Sequence, residues 1–222
     1  VLCEGTEQTL LPSGDVLQCV RCGLISSPQR DRPAPTAPGE GIAFEALDRV
    51  GRIASGYAVG GTRLVEMKPG AGRFRSAAER HGWEPTGSDG MEIGAGEADA
   101  VVMLDVLEHL NDPVAALRRV REGLDDRALL VAGVVDASRA RTPADARRAL
   151  GFAHRHVLTK QTAHAMLQLA GFRMVEWMRL PGAVHGPLGG HPGGSDSLAS
   201  AGTPNGPVSG PAAIALIVAR PA

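Results

Sequence analysis

Residues 64–74 read Leu64-Val65-Glu66-Met67-Lys68-Pro69-Gly70-Ala71-Gly72-Arg73-Phe74. A short apolar run closes on an acid, passes through a glycine-bearing turn and opens into a helical pattern. On a doubly wound sheet that order sets a strand's C-terminal end and a helix N-terminus around a nucleotide-type ligand. Lys68 stands where a G-x-G-x-G loop has its first glycine. Gly70 and Gly72 do not fit G-x-G-x-x-G, which argues against a nicotinamide or flavin site.

Downstream, residues 84–89 form the second strand of the pattern. Asp89 follows Gly72 by 17 residues, close to the ~20 expected for a carboxylate that accepts from ribose hydroxyls. Ala98–Leu104 and Leu129–Val135 are near-continuously apolar, as strands covered on both faces should be. Between them Asp112 is a natural N-cap and Pro113 a natural first residue of a helix that carries Val114, Leu117, Val120 and Leu124 on one face. A short helix runs from Thr142-Pro143 to Leu150. Thr159 caps another that buries Ala163, Met166, Leu167 and Ala170, with Gly171 as its stop. Phe172–Leu180 and Ala212–Ala219 complete the strands. Residues 181–211 hold nine glycines and six prolines and are expected to form a flexible loop. Strands alternating with helices, then two strands joined by a loop, predict a doubly wound, mostly parallel α/β sheet with one antiparallel strand.

Upstream, a helix is expected from Ile42 to about Ala54, with Phe44, Leu47, Val50 and Ile53 at helical spacing. Residues 33–41 are a proline-bearing linker. Residues 1–32 contain all three cysteines: Cys3, then Cys19 and Cys22 within Cys19-Val20-Arg21-Cys22-Gly23. C-x-x-C-G is the form of a zinc knuckle, and Cys3-Glu4-Gly5 has the form of the second half of another. A structural zinc takes four ligands; three thiols are present, and Cys3, Cys19 and Cys22 are the expected metal ligands of a zinc-ribbon-like segment. A small hairpin with incidental thiols is the alternative. The chain thus divides into a ribbon-like segment, a linker and a domain over residues 42–222.

Net charge is −1 and only seven of 222 residues are aromatic. That leaves neither the basic field for nucleic acid nor the stacking platform for single strands. No apolar run approaches the ~20 residues of a membrane span, and no charged-then-apolar leader opens the chain, so the expected setting is cytoplasmic, without a membrane partner.

Three segments together resemble one family: Leu64–Phe74, Asp105-Val106-Leu107-Glu108-His109-Leu110-Asn111-Asp112-Pro113, and His154–Phe172. They are similar to the cofactor loop, the post-strand-four motif and the segment before strand six of class I S-adenosylmethionine-dependent methyltransferases, in the subgroup with an N-terminal zinc ribbon. The resemblance implies a Rossmann-like, seven-stranded sheet with its last strand antiparallel. For an active enzyme it implies that Glu66, Lys68, Gly70, Gly72 and Asp89 surround S-adenosylmethionine, and that His109, His154 and His156 are the candidate bases. Two departures matter. Lys68 replaces a glycine beside the methionyl part of the cofactor, where its side chain would fill the space or set an ammonium near the sulfonium. Asp89 and Asp99 are ten residues apart, whereas a helix and a strand need on the order of 20, so the third strand and its adenine wall are expected to be missing. The expected function is therefore a degenerate, non-catalytic partner that stabilises a catalytic protein in a hetero-oligomer, in small-molecule biosynthesis. The alternative is an active methyltransferase on a small molecule.

Overall fold

A computed structural model of the chain describes residues 8–10, 16–20, 22–27, 42, 44–68, 73–150, 154–185 and 212–222. Its main body is a six-stranded mixed sheet. Three parallel strands form its heart: β4 (Arg63–Met67), β6 (Ala100–Leu104) and β7 (Leu129–Val135). With β5 (Glu84–Ser88), β9 (Phe172–His185) and β10 (Ala212–Pro221), the order is β5-β4-β6-β7-β10-β9. β10 runs antiparallel to both neighbours, and the other pairs in the β5 to β7 half are parallel. The expected fold class is borne out.

The apolar strands form the centre because both their faces are covered. Every residue of β6 and β7 is buried. Their side chains alternate between two cores, as the period of a strand requires. Val101, Met103, Leu130 and Ala132 face helices α3 (Pro113–Glu122) and α5 (Lys160–Leu169). Ala100, Val102, Leu129 and Val131 face α1 (Phe44–Tyr57) and α2 (Arg73–Glu79). The faces read from sequence for α3 and α5 are the buried ones, and the short helix expected between them is α4 (Pro143–Leu150). The Asp112 carboxylate accepts from the Ala115 amide at 2.9 Å, and Thr159 and Thr162 form a capping box. In α1 the buried stripe is Ala46, Leu47, Val50 and Ala54; Phe44 is half exposed, with the Arg80 guanidinium 4.5 Å over its ring.

Two expectations shift. β9 continues past Leu180 to His185, so residues 181–185 are strand and not loop. The register slips between Ala213 and Ala215, which face Val184 and Arg179. That bulge takes up Pro181 and Gly182 and lets the ladder with β10 resume. The rest of the expected loop, 186–211, lies outside the described residues. The N-terminal segment holds β1 (Gln8–Leu10), β2 (Leu17–Cys19) and β3 (Ile25–Ser26), an antiparallel meander. It shares its sheet with β8 (His156–Val157) of the larger domain, through Ile25↔Val157 and Ser26↔His156. Cys19 and Leu24 belong to the same core cluster as β6 and β7. Among the described residues, no helix is long and apolar enough to cross a membrane.

The interval between β5 and β6 carries bends and turns and no strand or helix. β5 therefore ends the sheet, as the short spacing predicts. The crossing chain packs Met91 and Ile93 onto the α3 side of the core. It presses close enough that a Cβ on Gly123 would meet the Ile93 carbonyl oxygen, at 2.2 Å. A carbonyl cannot move aside as a flexible side-chain tip can. Gly123→Ala should therefore lower stability by about 1–3 kcal/mol, read as a lower urea midpoint, whereas Ala at a helix C-cap free of such a contact changes it little.

Candidate functional site

β4 and β6 are adjacent, and the chain moves outward from them in opposite directions, to β5 on one side and β7 on the other. The crevice beyond their C-terminal ends is the topological switch point, where open α/β sheets bind ligands. Two non-glycine residues with positive φ stand there among the described residues: Lys68 at 50°, just after β4, and Asp105 at 57°, just after β6. An L-residue pays roughly 1–2 kcal/mol for that conformation, and such strain clusters at sites. Lys68 is half-buried and extends the ladder, its amide donating to the Ser88 carbonyl at 2.6 Å. It thus adopts the backbone conformation that a glycine would take without strain.

The expected cofactor residues are distributed around this edge. Glu66 is buried at 8% exposure, near the end of β4. Asp89 is exposed, directly after β5. Gly70 and Gly72 lie outside the described residues.

The expected bases assemble more tightly. β6 hands over to Asp105, a short 3₁₀ turn follows (Leu107–His109), and α3 begins. Within that turn His109 Nε2 lies 3.1 Å from Asp105 Oδ1. His154, 45 residues away in sequence, brings its own Nε2 to 3.7 Å from the same oxygen. The two imidazole rings are 5.0 Å apart, centre to centre, tilted by 42°. All three side chains are at most 9% exposed. A buried carboxylate between two imidazoles can orient a base, hold a proton or accept a cation.

Main-chain hydrogen bonds bring His154 there. The Arg155 amide donates to the Glu108 carbonyl at 2.8 Å, and the His154 amide donates to the Leu150 carbonyl at 3.2 Å. On its other side this strap, residues 154–158, is held by the N-terminal segment, where the Ser27 amide donates to the Arg155 carbonyl at 2.9 Å. His154 was singled out from sequence, but its partnership with Asp105 and His109 had no local signal.

His156 does not join the cluster. Its Nε2 is 3.0 Å from the Leu110 carbonyl, which can only accept, so the proton sits on Nε2. Its Nδ1 is buried without a hydrogen-bond partner. Burial pushes its pKa down to about 4, which leaves it neutral and a weak base at neutral pH. The geometry makes it a tie between the strap and the 3₁₀ turn.

The cysteine pair flanks a chain reversal closed by main-chain hydrogen bonds. The Gly23 amide donates to the Cys19 carbonyl and the Cys19 amide to the Leu24 carbonyl, each at 2.9 Å, with Gly23 at φ 71°. Cys19 is buried and Cys22 half-buried. Cys3 lies outside the described residues. Among those described, the donor group close enough to share an ion is Asp105–His109–His154, and it contains no cysteine.

Residues 38–176 match a family model described as a methyltransferase domain. The chain belongs to this methyltransferase family. Solved structures agree on the fold, the class I S-adenosylmethionine-dependent type. The CcbJ methyltransferase from Streptomyces caelestis superposes with a TM-score of 0.54 at 13% identity, covering 85% of this chain and all of that one. The [4+2]-cyclase SpnF gives 0.52 at 17%, covering 85% and 88%. NcsB1, an O-methyltransferase from neocarzinostatin biosynthesis in complex with S-adenosylmethionine, gives 0.51 at 13%. That match covers 76% of this chain, which spans half the length of NcsB1. No curated protein matches the sequence.

The depressed His156 pKa fixes a pH dependence. The unfolded chain binds a proton near pH 6.5 and the folded one only near 4, so the unfolded state binds more protons between those values. The contribution is present in full above about pH 6.5 and is lost as pH falls towards 4. The wild type should lose on the order of 1–3 kcal/mol more than His156→Gln between pH 7 and 4. Urea midpoints at the two pH values measure it, and an equal loss in both proteins would refute the assignment.

Proposed function

We propose that this member of the methyltransferase family does not perform methyl transfer and acts as a non-catalytic partner that stabilises a catalytic protein of small-molecule biosynthesis. The observation that carries this reading is the bare crossing from β5 to β6. The chain covers residues 89–99 without a strand or helix, so the side of the switch point beyond β5 lacks the wall on which an adenine would rest. Lys68 adds a second obstacle. It sets a cationic side chain beside the turn, where a sulfonium cofactor needs close approach to backbone. Both features count against S-adenosylmethionine binding at this edge. The fold itself does not decide the matter, because a structure named as a [4+2]-cyclase shares it.

The partner role also accounts for β5. An exposed sheet edge invites pairing and is ordinarily covered, and the strand that would cover it is absent among the described residues. A catalytic subunit that docks along this edge would bury it. The zinc assignment to Cys3, Cys19 and Cys22 belongs with this reading as a structural site of the N-terminal segment.

One observation favours active methyl transfer to a small molecule as the second reading: the Asp105–His109 pair at the end of β6. A base oriented by a buried carboxylate beside the switch point is what a hydroxyl acceptor needs. Calorimetry decides between the two. The purified chain should show no micromolar binding of S-adenosylmethionine or its demethylated product, and Lys68→Gly alone should not restore it. Micromolar binding by the wild type overturns the proposal in favour of the enzyme. Co-purification of the tagged chain with the product of a neighbouring gene tests the partner role directly.

A further inference from the structure

We propose that Asp105, His109 and His154 bind a first-row divalent transition-metal ion of the zinc class. The inference goes beyond the reading above, since it concerns three side chains on the β6 side of the crevice and holds whether or not a cofactor or partner is bound.

The geometry is that of a cradle. One carboxylate oxygen and two imidazole nitrogens lie within 4.8 Å of one another. Around zinc, with bonds of about 2.0–2.1 Å, adjacent ligand atoms of a tetrahedron are about 3.3 Å apart. The two edges that meet at Asp105 Oδ1 measure 3.1 and 3.7 Å, on either side of that value. The contact from His109 has hydrogen-bond length. The contact from His154 is too long for one, and a bound ion would take its place between the two atoms. Small movements of three side chains would close the set on an ion.

The three donors are also held in advance, which lowers the cost of assembling a site. Asp105 is fixed in a left-handed backbone conformation at the end of a buried strand. His109 sits in the 3₁₀ turn four residues on. The strap that carries His154 is tied to that turn by the Arg155 amide. Side-chain exposures of 3, 9 and 8% leave little competition from water.

The donor set selects the ion. Two imidazoles and one carboxylate suit zinc, iron(II), cobalt(II) or nickel(II), while magnesium and calcium prefer all-oxygen shells. Three protein ligands leave a coordination position open, as in zinc sites that take water or a substrate oxygen. The ligand class implied for that position is a small molecule offering an oxygen or nitrogen donor.

The cysteines must be kept apart from this site in the test. Chelator-stripped full-length chain would be titrated with zinc by calorimetry and with cobalt(II) under absorption spectroscopy. A cobalt ion bound by nitrogen and oxygen shows ligand-field bands without the sulfur-to-cobalt charge-transfer band that thiolates give. The expected result is one equivalent of cobalt bound without the sulfur band, beside any that the cysteines take with it, and weakened on the order of tenfold or more in both His154→Gln and His109→Gln. Circular dichroism confirms that the variants are folded, and two are used so that a collapse of either leaves the other to decide. A wild-type chain that binds neither metal overturns the proposal without reference to any variant. So does cobalt bound only with the sulfur band, or binding that the folded variants leave unchanged.

Discussion

The double burial of β6 and β7 is the constraint on which the rest of this structure depends. With Ala100–Leu104 and Leu129–Val135 inaccessible along their whole length, neither strand has room for a polar side chain until it ends. The chemistry is thereby pushed to strand termini. Asp105 is the first polar side chain beyond β6, and it turns sharply, at φ 57°, because the chain must leave the sheet there and enter the 3₁₀ turn. Burying the strands positions the acid.

A second layer of order comes from residues 154–158. This strap lies between the 3₁₀ turn and the N-terminal strands, bonded to one through the Arg155 amide and to the other through the Arg155 carbonyl. The two sides of a single residue thus couple the N-terminal segment to the His109–His154 pair. Cys19 and Leu24 join the main core, so the segment read as a ribbon also serves as a buttress for the histidine strap. Its thiols and the Asp105 cluster are separate donor sets with different chemistry. Soft sulfur stands on one side, imidazole and carboxylate on the other.

The region beyond β5 shows the opposite economy. A short crossing laid against α3, with Ile93 in close contact with Gly123, seals the core with Met91 and Ile93 in place of a helix and a strand. The core stays closed while the sheet edge stays open. That asymmetry sets a built cluster on the β6 side against a bare flank on the β5 side.

The sequence by itself determined the fold class. Apolar strands that need cover on both faces, the caps at Asp112 and Thr159, and the stop at Gly171 are local or periodic signals, and the observed elements follow them. It also determined the missing strand, because ten residues cannot span a helix and a strand. Only tertiary structure decided which of the candidate residues meet. His154 meets Asp105 across 49 residues through main-chain bonds that no side-chain pattern encodes. His156, equal to its neighbour in sequence, became a buried neutral tie because its Nε2 met a carbonyl. The extension of β9 through Pro181 and the sharing of a sheet between β3 and β8 were equally invisible. Each depends on a distant partner strand whose ladder outweighs the local preference.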